Sequence, residues 1–173
     1  MSKRLFSMSR WYFKTKKMEM NKFMQRAIAL SQESVDSGKG GPFGCVIVKE
    51  GKIIGEGNNQ VTSTNDPTAH AEVVAIRNAC KNLNSFQLEG CEIYTSCEPC
   101  PMCLGAIYWA RPEKIFFANT RKDAAAIGFD DSFIYDEIPL EIAHRKIPMI
   151  ALERTAALKV FKAWQQKTDK SEY

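Results

Sequence analysis

Apolar residues recur at helical spacing between positions 20 and 36, where Met20, Phe23, Met24, Ala27, Ile28 and Val35 share one face. Gly38 and the turn Gly40-Gly41-Pro42 end that run, so a helix is expected over 20–36. Two short β-rich runs follow, Cys45 to Lys49 and Lys52 to Gly57, joined by Glu50-Gly51, a pair suited to a tight hairpin turn. The turn signal Asn65-Asp66-Pro67-Thr68 then precedes a second helical stretch, starting near His70 and running to about Asn82. A third strand is expected over Glu92 to Thr95. It leads into a helix that opens at Pro99-Cys100-Pro101 and closes at Arg111-Pro112. Lys114 to Ala118 forms a fourth strand, the weaker apolar stretch Ile147 to Leu152 a fifth, and Thr155 to Lys167 the last helix. Strands alternating with helices predict an α/β fold, a mixed sheet with helices on both faces.

Composition narrows the class. A chain of 173 residues fits one domain, enough to bury roughly 70% of its unfolded surface. No apolar run approaches the roughly 20 residues that span a bilayer, so no membrane partner is expected. Six cysteines are too sparse here for a disulfide scaffold and point to a reducing, cytoplasmic setting. The formal charge of +4 is concentrated at one end. Six of the 24 basic side chains (Lys3, Arg4, Arg10, Lys14, Lys16, Lys17) lie in residues 1–17 without an acid, leaving 18 against 20 acids elsewhere. That slightly acidic body weighs against a nucleic-acid channel, whose footprint is a basic face. The basic leader is expected to be a dispensable extension over residues 1–18, with one domain over 19–173.

The chemistry lies in two clusters thirty positions apart, His70-Ala71-Glu72 and Pro99-Cys100-Pro101-Met102-Cys103. Cys100 and Cys103, at i and i+3, face the same side of a helical turn, and Pro99 and Pro101 suit its first positions. Together with His70 they make three zinc ligands, one short of the four of a structural site, which leaves a position for water as in hydrolytic zinc centres. Orphan N–H groups at a helix start stabilise thiolates there. Glu72 then borders the metal without binding it and can move protons, the H-x-E with P-C-x-x-C arrangement of zinc nucleobase deaminases. Two non-catalytic alternatives compete. Cys97, Cys100 and Cys103 could hold an iron–sulfur cluster, but a cysteine three positions further on is wanted and Ile107 stands there. A structural zinc site with Cys97 as fourth ligand leaves Glu72 without a task.

On these residues the chain from about Met20 resembles the cytidine deaminase superfamily. Asn58-Asn59, Asn65-Asp66-Pro67-Thr68, Tyr108-Trp109-Ala110-Arg111-Pro112 and Gly128-Phe129-Asp130-Asp131-Ser132 extend the resemblance to its bacterial-type guanine deaminases. The resemblance implies a three-layer α/β/α sandwich around a mixed five-stranded sheet. It also implies zinc-dependent hydrolysis of guanine, a small-molecule purine base, to xanthine and ammonia by attack at C2. A homodimer in which the C-terminal segment crosses to the neighbouring subunit is implied as well. Asn59 offers a carboxamide to the base or, equally, a brace for the turn before Val61. Asp131 could accept N–H groups or assist the departing amine, against the plainer reading of a solvated loop acid. Phe43 and Phe129 offer faces for a planar base, and Trp109 a pocket wall, each weighed against ordinary core packing. Tyr173 could cap a partner's site in an exchanged dimer. A tRNA adenosine deaminase, or a guanosine or cytosine deaminase, shares the same zinc chemistry.

Overall fold

A computed structural model describes residues 21–172; the basic leader and Tyr173 lie outside the described residues. The expected first helix forms as α1 (Lys22–Ser37), two residues later than its apolar run begins, because the Asn21 side chain accepts from the backbone N–H groups of Phe23 and Met24 and caps it. Gly38, in the left-handed region at φ 63°, closes it. Strands β1 (Gly44–Lys49) and β2 (Lys52–Asn58) make the expected hairpin. Glu50 and Gly51 both take positive φ, the backbone of the tight turn whose twist matches its flanking strands.

After the single turn α2 (Val61–Thr64) come α3 (Ala71–Leu83), β3 (Cys91–Cys97), α4 (Pro101–Ala110) and β4 (Lys114–Asn119). The sheet order is β2-β1-β3-β4, with β1 antiparallel to β2 and β3, and β3 parallel to β4. Alternation along the strands sorts the core into two layers. Val46, Val48 and Tyr94 face α1, where Ala27 and Leu30 meet them. Cys45, Ile47, Cys91 and Ile93 face the other side, against Ala71, Ala75 and Ala79 of α3 and Ile107 and Ala110 of α4. Small residues let α3 lie close on the sheet: a Cβ on Gly55 would meet the Ala79 Cβ at 2.6 Å, and one on Gly57 the Ala75 nitrogen at 2.6 Å. The sandwich α1/sheet/α3–α4 is the three-layer architecture anticipated.

The sheet has four strands among the described residues, not five. Residues 147–152 lie outside any strand, and Ile150 is 84% exposed. Pro148 interrupts the stretch and brings no N–H to a ladder. Beyond β4 the chain forms α5 (Arg121–Ala126), α6 (Ser132–Glu137), a 3₁₀ turn at Ile142–His144 and α7 (Arg154–Gln166). Thr120 and Asp123 reciprocally cap α5. None of these later elements has a buried residue.

Candidate active site

Two helix starts meet at the end of the sheet. His70 is the N-cap of α3, held in extended backbone, and Cys100 is the N-cap of α4 with Pro101 at its first position. The turn ahead of His70 is braced by Asp66, whose carboxylate accepts from the Thr68 N–H at 2.8 Å and hydroxyl at 2.7 Å. The Gln60 N–H donates to the Ala69 carbonyl and fixes the approach. Both helices therefore direct unpaired N–H groups and positive dipole ends at one spot.

There His70 Nδ1 lies 3.6 Å from Cys100 Sγ and 3.5 Å from Cys103 Sγ, and the three ligand atoms all fall within 4.8 Å of one another. Tetrahedral zinc with bonds of about 2.3 Å to sulfur and about 2.0 Å to nitrogen needs N···S separations of about 3.5 Å, so the donor set fits that ion as it stands. Cys100 is held down to about 4 by hydrogen bonding with Cys103, reinforced by His70, and is a thiolate at neutral pH. Its partner Cys103 is raised by the same hydrogen bond and by burial. The His70 imidazole is raised, chiefly by its contact with Cys100.

Glu72, 6% exposed, stands beside this trio at the second position of α3. Its Oε2 accepts from Cys103 Sγ at 3.4 Å and its Oε1 from the Thr95 hydroxyl at 3.3 Å. Burial raises its pKa and favours the protonated form. A carboxyl poised this way next to a metal position can take and return protons. Cys97 is outside the trio. It donates to the Thr120 carbonyl at 3.6 Å, and burial pushes its thiol up to about 11. Ile107 is in the core, and Cys45 and Cys91 pack beside it. The iron–sulfur and four-ligand readings therefore lose their extra sulfurs.

The other expected residues divide. Asn59 is buried, and its Oδ1 accepts from the Gly41 and Val61 N–H groups, both at 3.2 Å. This fixes the carboxamide and leaves Nδ2 to donate. Phe43 and Phe129 meet edge to face at 5.0 Å, Phe129 half-exposed beside Gly41. Asp131 precedes α6, and its carboxyl is raised by partial burial and then by the charge of Cys100. Trp109 is at the far end of α4, 64% exposed, lining a groove with Ile76, Phe86 and Trp164 away from the ligands of its own chain. Thr95 went unremarked in the sequence, since a threonine inside a strand carries no signal apart from the alternation that aims it at α3. Ser34 was equally silent; its buried hydroxyl donates to the Asn59 carbonyl at 3.3 Å.

Residues 17–119 match the cytidine and deoxycytidylate deaminase zinc-binding region, well over half of the chain. The chain belongs to this deaminase family. It is 57% identical over 156 residues to the guanine deaminase of Bacillus subtilis, covering 90% of this chain and 100% of that one. The crystal structure of that Bacillus deaminase superposes with a TM-score of 0.87 over 90% of this chain and 99% of its own. The solved guanine deaminase of Nitrosomonas europaea is 32% identical, with a TM-score of 0.59 over 63% of each chain. A tRNA-specific adenosine deaminase of Aquifex aeolicus is 45% identical over 100 residues, 58% of this chain and 66% of its own. The ligand trio and Glu72 all lie inside the matched zinc-binding region, and Asp131 outside it.

Proposed function

We propose that this zinc-dependent deaminase hydrolyses guanine to xanthine and ammonia. The observation that carries the reading is the near-complete match to the Bacillus enzyme, which continues past β4 through the segment bearing Phe129 and Asp131, where the tRNA-enzyme match covers little over half of the chain. His70, Cys100 and Cys103 hold the metal. Bound zinc supplies a Lewis acid that lowers the pKa of water to about 7. Glu72 takes the proton released as water adds to C2 and gives it to a ring nitrogen, then takes the proton of the hydroxyl now on C2 and gives it to the departing amine. A C–O bond forms, the C2–N bond breaks, and one water is consumed for each ammonia released. Asn59 Nδ2 donates to an acceptor on the purine, Phe43 and Phe129 cover the ring, and Asp131 receives N–H groups near the leaving amine.

The protein is further proposed to be a cytoplasmic homodimer with exchanged C-terminal segments. Val160, Phe161 and Trp164 stand exposed on α7, and Ile147, Ile150 and Leu152 precede them, more apolar surface than a lone subunit leaves in water. Such an exchange gives Tyr173 a route to a neighbouring site. All six cysteines are free thiols, in keeping with a reducing compartment, and no helix among the described residues is long and apolar enough to cross a membrane. The leader, residues 1–18, is proposed to be dispensable.

The zinc-loaded protein, incubated with guanine, guanosine, cytosine, adenine and a tRNA anticodon stem-loop, should yield xanthine from guanine alone, read by chromatography with an ammonia assay. Inosine in the RNA with guanine untouched overturns the assignment.

A further inference from the structure

We infer that Thr95 is a positioning residue that fixes the Glu72 carboxylate for proton transfer by holding Oε1 and leaving Oε2 directed at the metal position. The inference rests on the deaminase role proposed for Glu72. Thr95 is in the middle of β3, 1% exposed, opposite Cys45 in the β1–β3 register, on the face that packs against α3. Valine fills such a position with nearly the same shape and a better strand preference, so a hydroxyl there has to be accounted for by a hydrogen bond. Its recorded side-chain partner is Glu72 Oε1, at 3.3 Å.

The carboxylate is thereby gripped from two elements. Oε2 faces Cys103 Sγ at 3.4 Å, within the ligand cluster. Once a metal takes Cys103 as thiolate, that sulfur has no proton to give. The hydroxyl of Thr95 then remains as the side-chain donor that keeps the carboxylate from turning. Apart from Thr95, a backbone N–H at Glu72 itself holds the carboxylate, while His70 and Cys103 belong to the ligand cluster. A strand is a suitable mount, because β3 is hydrogen-bonded on both sides and cannot shift without carrying the sheet.

The test compares the zinc-loaded wild type with T95V and T95S. T95V should retain one zinc per chain and the wild-type thermal midpoint while kcat for guanine falls about 10- to 100-fold and KM moves less than about twofold, the pattern of a lost transition-state geometry. T95S, which restores the hydroxyl, should recover most of kcat. Crystal structures should show the Glu72 carboxylate turned from its wild-type orientation in T95V and restored in T95S. An unchanged kcat, or losses of zinc and stability in step with activity, overturns the inference. Should T95V fail to fold, T95A, which also removes the hydroxyl, takes its place in the same comparison with T95S. Should the wild type leave guanine untouched, the substrate reading fails separately, and the Glu72 orientation in the two crystal structures still settles the role of Thr95.

Discussion

The two halves of this chain solve opposite problems. From α1 to β4 the chain packs the central strands β1 and β3 between helices, and the ligands sit where two helix starts converge on them. From α5 onward no residue of any element is buried, and α7 carries Phe161 at 72% exposure. The first half builds a metal centre by itself. The second leaves large apolar side chains exposed, and its Phe129 meets Phe43 of the first edge to face. The candidate metal ligands thus all lie in the packed half, while the later elements leave their apolar side chains exposed in a single chain.

Breaking the metal centre should have the largest effect. His70→Ala removes one of three ligands, and zinc content by elemental analysis should drop along with all measurable turnover, chelation of the wild type giving the same result reversibly. Glu72→Gln sharpens the point, because it keeps the ligands: zinc should remain near one per chain while kcat falls at least about 10³-fold, two proton transfers being lost. Substantial residual activity in that variant would refute the proton-shuttle role.

Intermediate effects separate the halves. Ile107→Ala, in the packed half, should cost about 3 kcal/mol at any protein concentration, measured by urea unfolding. Trp164→Ala in α7 should instead shift the sedimentation behaviour toward monomer and lower the thermal midpoint mainly in dilute solution. A loss within about 0.5 kcal/mol, with no change in association, would mean that the exposed face of α7 has no partner.

The smallest effect belongs to a surface ion pair. Arg26 holds Glu56 through both guanidinium-to-carboxylate bonds at 2.8 Å, and these bonds set the Glu56 carboxyl below its ordinary range. A depressed carboxyl contributes stability that is fully present above its unfolded pKa and is lost as acid carries the pH down through the folded value. Glu56→Gln should therefore cost under about 1 kcal/mol at neutral pH, after solvent screening, and nothing in acid below both values. Equal losses at both pH values would show a packing effect.

What the sequence disclosed follows the same division. The first four strands and the helices around His70 and Cys100 were legible because their residues answer to local rules: alternation, Pro at a helix start, Gly and Asn at turns. The metal ligands were legible because His, Cys and Glu at fixed spacing have few other uses together. Thr95 and Ser34 were not, since a hydroxyl inside a strand or helix gains meaning from what lies opposite it in space. The stretch 147–152 misled for a related reason. Its Ile147, Ile150 and Leu152 spell a buried strand, yet all three are exposed, because apolar character alone does not bring a stretch into the sheet.

The parallel pairing of β3 with β4 sets how such an enzyme can be rewired. Because the two strands run side by side to the same edge, the chain leaving β4 emerges next to the turn that carries Cys100, with Thr120 already touching Cys97. Whatever segment follows is delivered to the rim of the pocket without any ligand having to move. Replacing that segment leaves the ligand-bearing core intact, so a lineage holding this frame can vary the stretch of chain beside the candidate metal centre without touching the residues that hold the metal.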